Sequence, residues 1–237
     1  MTTTNDFGQI IGDDLPGWSP RPLPSADSLP GRFCRLEKLA ERHIPRLLDA
    51  FESTIVDGVP QPTWTYLSAG PTTQAELEDH FTSKIDAGTD THYAIVEATP
   101  AAAVLGTVGL INAAPAGGSI EMGWVTYSPQ LARTATATEA QYLAMAYVFE
   151  GLGYRRYEWK CDCLNEKSRA AALRLGFTYE GRFRQATVYK GRTRDTDWFS
   201  IVDTEWPPLK ESFEGWLDPS NFDDVGTQVH SLAHFRA

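Results

Sequence analysis

The sequence predicts one α/β domain, a mixed and mostly antiparallel sheet flanked by helices. Three observations carry this reading. Tyr157, Trp159, Cys161 and Cys163 alternate with Glu158, Lys160 and Asp162, the period of a strand. Just before them Ala140, Leu143, Ala144, Tyr147 and Val148 recur at helical spacing. Just after them Asn165 is placed to cap a second helix that stops at Gly176. At 237 residues the chain is long enough for a substantial core, and it shows no internal repeat and no interdomain linker.

The elements follow in order. Residues 1–30 hold Pro16, Pro20, Pro22, Pro24 and Pro30 and read as an extended Pro-rich arm, with Trp18 available to pin it to the domain or to a partner subunit. Arg32 to Leu36 reads as the first strand. Glu41 to Glu52 reads as a helix, with Ile44, Leu47, Leu48 and Phe51 on one side and Pro45 in its first turn. Thr72 or Thr73 caps a helix running to about Ala87. His92 to Glu97, Val104 to Ile111 and Ser119 to Tyr127 read as three strands, the last two joined by a turn at Ala114 to Gly118. After Phe177 come a strand to Arg184, a short one at Thr187 to Lys190, a turn at Gly191, and a strand near Trp198 to Val202. Residues 31–206 thus form the domain. Residues 207–237 are a Trp- and acid-rich extension without clear periodicity, packed on the domain or trailing from it.

The stretch Leu131 to Phe177 carries the chemistry. A run of small residues, Ala132-Arg133-Thr134-Ala135-Thr136-Ala137, feeds a helix whose first backbone N–H groups have no intrahelical acceptor. Such an end holds phosphate. Thr138 or Thr136 is the expected cap, with Glu139 in the first turn where negative charge suits the dipole. This order of elements suits an enzyme that binds a pyrophosphate-bearing acyl carrier.

Composition narrows the class. Net charge is −10, against the basic stripe that nucleic-acid binding needs, so no nucleic-acid partner is expected. The acidity serves solubility or attracts a cationic amine. No apolar run approaches a membrane span, so no membrane partner is expected. The acidic MTTTNDFGQIIGDD start has neither the basic nor the apolar region of a signal peptide. Cys34, Cys161 and Cys163 form neither a disulfide framework nor a metal motif. A reducing, cytoplasmic setting without a bound metal is expected.

These motifs resemble the GNAT N-acetyltransferase superfamily, in its RimJ/RimL-like branch. The resemblance rests on Ala137-Thr138-Glu139-Ala140, on Asn165 with Ser168, and on Leu175-Gly176-Phe177. It extends to Glu180-Gly181, to GRTRDTDWFSIVDTEWP, to GSIEMGW at Gly118 to Trp124 and to WTYLSAGP at Trp64 to Pro71, about three quarters of the chain. It implies a sheet with splayed central strands, acetyl-CoA as co-substrate, and transfer of the acetyl group to a primary amine by direct attack in a ternary complex. The acceptor is a small molecule, or alternatively a protein N-terminus, and the chain is a monomer or homodimer. The family's acyl-carrier loop is Gln/Arg-x-x-Gly-x-Gly/Ala. Here Ala135 and Ala137 stand where glycine is usual, so the loop takes a more helical path or holds the carrier less tightly. A catalytically inactive binding module is the corresponding alternative.

The resemblance assigns roles residue by residue. Arg133, Thr134, Ala135, Thr136, Ala137 and Thr138 would hold the pyrophosphate. Val125 to Tyr127 would hold the pantetheine arm through main-chain groups, chiefly those of Val125 and Tyr127. Asn165 and Ser168 would also contact the carrier. Arg133, Lys167, Arg169 and Arg174 lie near these loops as anion partners. Many relatives place a thiolate acid four residues before the Gly-Phe glycine, but that position is Ala172 here, and the resemblance to this branch points instead to Ser168, one turn earlier on the same helix. The base for the amine is Glu121, beside apolar Ile120, Met122 and Trp124, which would raise its pKa. The alternative for Glu121 is a salt-bridged strand residue, and for Ser168 and Asn165 a helix-start role. Trp64, Tyr66, Trp124 and Tyr127 either line the amine pocket or belong to the core. Arg192, Arg194, Asp195 and Asp197 either form a salt-bridged hairpin or border the acceptor entrance. A cysteine hydrolase using Cys161 or Cys163 is a third class, with no histidine near either in sequence.

Overall fold

The fold is described from a computed structural model, over residues 3–236. One eight-stranded sheet runs through it. Its strands are β1 (Ser28–Pro30), β2 (Cys34–Lys38), β3 (Thr91–Glu97), β4 (Val104–Ala114), β5 (Ser119–Tyr127), β6 (Arg156–Asp162), β7 (Thr178–Tyr189) and β8 (Arg192–Val202). Across the sheet they lie in the order β7-β8-β6-β5-β4-β3-β2-β1. Every pair is antiparallel except β5 and β6. The helices are α1 (Ile44–Phe51), α2 (Gln74–Thr82), α3 (Ala135–Ala146), α4 (Glu166–Leu175) and α5 (Trp206–Leu217). The single parallel pair follows from the crossover through α3, since a parallel connection needs a long return.

Two cores bury the two faces. On one face Tyr93, Ile95, Val108, Leu110, Ile120, Met122, Tyr157 and Trp159 pack under α3, α4 and α5. On the other Ala94, Val96 and Val104 pack under α1 and α2, with Leu47, Phe51, Trp64, Leu77 and Phe81. Strand alternation assigns the side chains to faces, as the period of two requires.

Several expectations are corrected. The arm is not merely extended, because Ser28–Pro30 joins the sheet as its edge strand against Arg35–Glu37. Thr3–Thr4 also pairs with Ile10–Ile11. Trp18 pins the arm to this same domain. Its Nε1 donates to Ala116 O (2.9 Å) and its ring lies where a Cβ on Gly118 would sit. The helix capped by Thr73 ends at Thr82 rather than near Ala87. The strands expected at Thr178–Arg184 and Thr187–Lys190 are one bulged strand. The C-terminal stretch contains α5, with Trp206, Leu209, Phe213, Trp216 and Leu217 buried at helical spacing. Pro207 and Pro208 fall in its first turn, where a missing N–H costs nothing.

Candidate active site

The site is set by where β5 and β6 part. They pair in register from Arg156/Ser119 to Trp159/Met122, and no further. Beyond that point β6 pairs only with β8, and β5 only with β4. The main chain of Gly123–Tyr127 therefore has no strand partner on its β6 side. A bulge sharpens the divergence. Between Thr107/Thr126 and Gly109/Gly123 the register gives β5 one residue more than β4, and Trp124 takes φ +50° there. Bulges bend and twist a strand at such a place.

The first turn of α3 follows directly. Thr134 caps it, not Thr136 or Thr138. Its Oγ1 accepts from Ala137 N (3.1 Å) and donates to Leu131 O (2.7 Å). Ala135, Thr136 and Ala137 are thus helical, and the left-handed turn that precedes a helix falls on Arg133 (φ +67°). Alanine suits these helical positions, and the loop takes the more helical path. The N–H groups of Ala135 and Thr136 precede the first intrahelical acceptor. Thr138 turns inward. Its hydroxyl bonds Thr134 O and accepts from both Nη atoms of Arg174 (3.2 Å each). The exposed Arg133 makes no ion pair among the described residues, and Lys167 is likewise exposed. Arg169 is spent elsewhere, since it and Arg182 (2.7 Å) pair with fully buried Asp197.

Glu139 has left the first turn as well. It is buried, and its carboxylate accepts from the backbone N–H of Arg32 (2.8 Å), Phe33 (2.6 Å) and Cys34 (2.7 Å). It ties α3 to the start of β2 and does not face a phosphate.

Ser168 and Asn165 sit at the start of α4. Asn165 is the cap, its Oδ1 accepting from Ser168 N (3.1 Å). Trp159 Nε1 donates to Ser168 Oγ (3.0 Å). That contact occupies an acceptor lone pair and leaves the hydroxyl proton free to donate. Cys161 lies beside it, where burial raises its thiol above the ordinary range. A buried thiol of that kind is a poor nucleophile, which argues against the cysteine hydrolase. Tyr127 turns its side chain toward α3, its hydroxyl accepting from Gln141 Nε2 (2.7 Å), so toward a carrier it offers main chain only. The expected helix position Ala172 is fully buried in the core.

Glu121 is buried on the opposite face from Ile120 and Met122. The apolar neighbours in sequence are therefore not its neighbours in space. Its Oε2 accepts from Lys160 Nζ (2.7 Å) and Asn112 Nδ2 (2.9 Å). Lys160 also meets Glu158 Oε2 (2.9 Å) and lies 3.9 Å from the centre of the Trp198 ring. Burial works against the Lys160 charge, but the Glu121 and Glu158 carboxylates hold its pKa above the usual value. Glu121 Oε1 makes no hydrogen bond among the described residues and remains open as an acceptor.

Of the expected pocket aromatics, Trp124 does border a cleft. It shares a hollow of about 570 Å³ with Ser68–Pro71, Glu76, Asp79, His80, Ser83 and Lys84. Trp64 does not border it. It is fully buried in the second core, against Phe51 and His80. Tyr66 works as a tie, its hydroxyl donating to Leu164 O (3.0 Å) just past β6. Tyr189 donates to Asp162 Oδ2 (2.8 Å), and Lys190 Nζ donates to Trp64 O, so the β7–β8 turn is strapped to the loop after Pro62. Arg194 and Asp195 are engaged by hydrogen bonds, with Thr196 and with Gln185 N, and of the four charged hairpin residues only Asp197 forms ion pairs among the described residues, with Arg169 and Arg182. Another hollow, of about 650 Å³, is formed by Phe183–Ala186 alone and holds none of these groups.

Sequence reasoning missed Lys84, His80 and His92. They come from the end of α2 and from β3, and nothing in their local sequence marks them. Among the described residues no cluster of His, Cys, Asp and Glu could hold a metal, and no helix is long and apolar enough to cross a membrane.

The comparisons agree with this geometry. The family model of the acetyltransferase (GNAT) domain matches residues 35–178. A GCN5-related N-acetyltransferase from Brucella melitensis is 43% identical, covers 94% of this chain and 99% of its own, and superposes with a TM-score of 0.86. A probable acetyltransferase of the GNAT family from Chromobacterium violaceum is 36% identical over 83% of this chain and 96% of its own, TM-score 0.74. The ribosomal L7/L12 alpha-N-protein acetyltransferase RimL is 22% identical over 76% of this chain and 99% of its own, TM-score 0.60, a likeness of fold. No curated protein matches the sequence. A parted β5–β6 pair, a helix N-terminus at its end and these matches together place the chain in the GNAT acetyltransferase family.

Proposed function

We propose that this acetyltransferase takes the acetyl group of acetyl-CoA to a primary amine of a small molecule, by direct attack within a ternary complex. The observation that carries the reading is the parting of β5 and β6 after Met122 and Trp159. It leaves the main chain of Val125 and Tyr127 open to a pantetheine arm, in line with the first turn of α3. The residues present fit the carrier. Ala135 and Thr136 offer unpaired N–H groups at a positive helix end, with Arg133 beside them.

The carrier supplies an activated thioester, and the remaining work falls to the chain. An alkylammonium has a pKa of about 10 and must lose a proton before it attacks. Glu121 accepts that proton through its open Oε1, directly or through one water. Lys160 and Asn112 fix the other oxygen and so orient the group. Ser168 donates its hydroxyl proton to the departing sulfur, the orientation that Trp159 leaves open. Holding amine and thioester together contributes several kcal/mol, up to about 7–11 in the best cases.

A small acceptor is favoured by the strap. Lys190, Tyr66 and Tyr189 tie the loop after Pro62 to the β7–β8 turn and to the end of β6. In this reading the bridge narrows the acceptor side of the site, which favours a small amine over a bulky protein terminus. The test is thiol release from acetyl-CoA with a panel of small amines and short peptides. Release with small amines is expected. Release with peptides alone would replace the acceptor class, and CoA binding without any release would make the chain a binding module.

A further inference from the structure

Lys84 is a buried cation without a counter-ion. The residue is 7% exposed, and it takes part in no ion pair among the described residues. Its ammonium donates to His80 O (2.6 Å), lies 3.3 Å from His80 Nδ1, and stands 4.7 Å from the centre of the Trp124 ring. An ammonium has three donors, and one of them is left for the cleft. His80 Nε2 and His92 Nδ1 are also buried and without a partner.

The surroundings favour an anion there. His80 and His92 are themselves buried, and burial first, then the Lys84 charge, holds both imidazoles neutral. Neither therefore adds a competing positive charge, and His80, whose Nδ1 accepts from Lys84, carries its proton on the unpartnered Nε2. The acids that share the cleft do not answer Lys84. Glu76 is taken by the N–H (2.7 Å) and hydroxyl (2.9 Å) of Thr72, and Asp79 lies on the exposed side of α2. Trp124 connects this corner to the reaction site. Its ring meets Lys84 and His80, and its main chain forms the β5 bulge beside the parted strands. Lys84 thus lies one side chain away from the β5 bulge.

We propose that the acceptor is an amine that also carries an anionic group, a carboxylate or a phosphate, and that Lys84 binds that group with His80 beside it. The inference rests on the acetyltransferase reading above and deepens it. A buried ammonium lacking an opposite charge is costly, and a bound anion removes that cost. The ammonium end of the same acceptor is drawn toward Glu121, which shares this face of the sheet.

Matched acceptors test it. Thiol release is measured for amino acids against their carboxamides, and for phosphoethanolamine against ethanolamine. The anionic member of at least one pair should win by tenfold or more in kcat/KM, and the winning pair separates carboxylate from phosphate. Lys84→Met preserves the volume and should bring that ratio close to one, while Lys84→Arg should restore part of it. Lys84→Gln guards against a folding failure in the first variant. Neutral members turned over as well as their anionic partners by the wild type would overturn the inference and leave acetyl transfer standing. So would a ratio that survives Lys84→Met. If no amine releases thiol, the acetyltransferase reading itself is at fault, and binding decides the anion site. Thermal denaturation with N-acetylglycine, N-acetylglycinamide or inorganic phosphate should then show stabilisation of the wild type by an anion only, lost in Lys84→Met. Equal behaviour of the two proteins would reject the site.

Discussion

Glu139→Gln tests how α3, and with it the carrier site, is fixed to the sheet. The carboxylate is 3% exposed and accepts three backbone N–H bonds, from Arg32, Phe33 and Cys34. Gln keeps the shape but has one acceptor oxygen. If that oxygen takes the place of Oε2, the Phe33 and Cys34 bonds survive as neutral ones. Each loses about 1 kcal/mol of charge assistance. The part-buried Arg32 N–H then faces an NH₂ group, and losing its bond to the carboxylate costs about 1–3 kcal/mol. The expected loss is about 3–5 kcal/mol, a large share of a domain's stability. Urea denaturation followed by tryptophan fluorescence measures it, with the m-value unchanged if the folded state is the same. Gly31 provides an independent check, because a Cβ there would sit 2.7 Å from the Glu139 carboxyl. Gly31→Ala should therefore destabilise in the same assay. A loss below about 1 kcal/mol for Glu139→Gln, the scale of an ordinary surface substitution, would refute the argument.

Three further predictions concern the site. Glu121→Gln should lower kcat roughly 10²-fold at neutral pH, the usual scale for a lost general base, with CoA affinity nearly intact. An unchanged pH–rate profile would leave Glu121 a structural partner of Lys160. Ser168→Ala should lower kcat on the order of tenfold, about 1.4 kcal/mol, since a free thiol near pKa 8.5 needs little help to leave. A rise in KM for acetyl-CoA alone would make Ser168 a carrier contact instead. Acid stability should be governed by the buried imidazoles, lowered from 6.5 to about 3 for His80 and about 4 for His92. The unfolded chain binds those protons first, so stability should fall as pH drops below 6.5, through His92 to about 4 and through His80 to about 3. A His92→Gln variant should show a shallower decline in thermal denaturation, and an identical slope would exclude His92 as a cause.

What was legible in the sequence was local. The strand Arg156–Asp162 and the caps Asn165 and Gly176 are written in neighbouring residues, and the structure has them where expected. The start of α3 was displaced because a run of small residues reads as a loop. Alanine is in fact a strong helix former, so the helix begins at Ala135 and Thr134 takes the cap. The edge strand Ser28–Pro30 was hidden because three residues with a proline show no alternation, and their pairing is decided by Arg35–Glu37. Helix α5 was hidden by its two prolines. Glu121 was placed on the correct strand, but its environment depends on Lys160, 39 residues away, which no local pattern reveals. For Trp64 the sequence leaves pocket and core open, and its place in the core is decided by Phe51 and His80, which are distant in sequence. The cleft around Lys84 combines α2, β3 and β5, and only the folded chain brings those together.

In the proposed mechanism the parted strands and the first turn of α3 bind the pyrophosphate-bearing carrier. Calorimetry with CoA on the wild type and on Ala135→Glu tests it most directly. Ala135 is the first residue of α3, and a glutamate there places bulk and negative charge against the N–H groups assigned to phosphate. The wild type should bind CoA with a Kd well below millimolar, and the variant at least tenfold more weakly with its thermal stability retained. Equal affinity in the two proteins, or no binding by the wild type, would contradict the account.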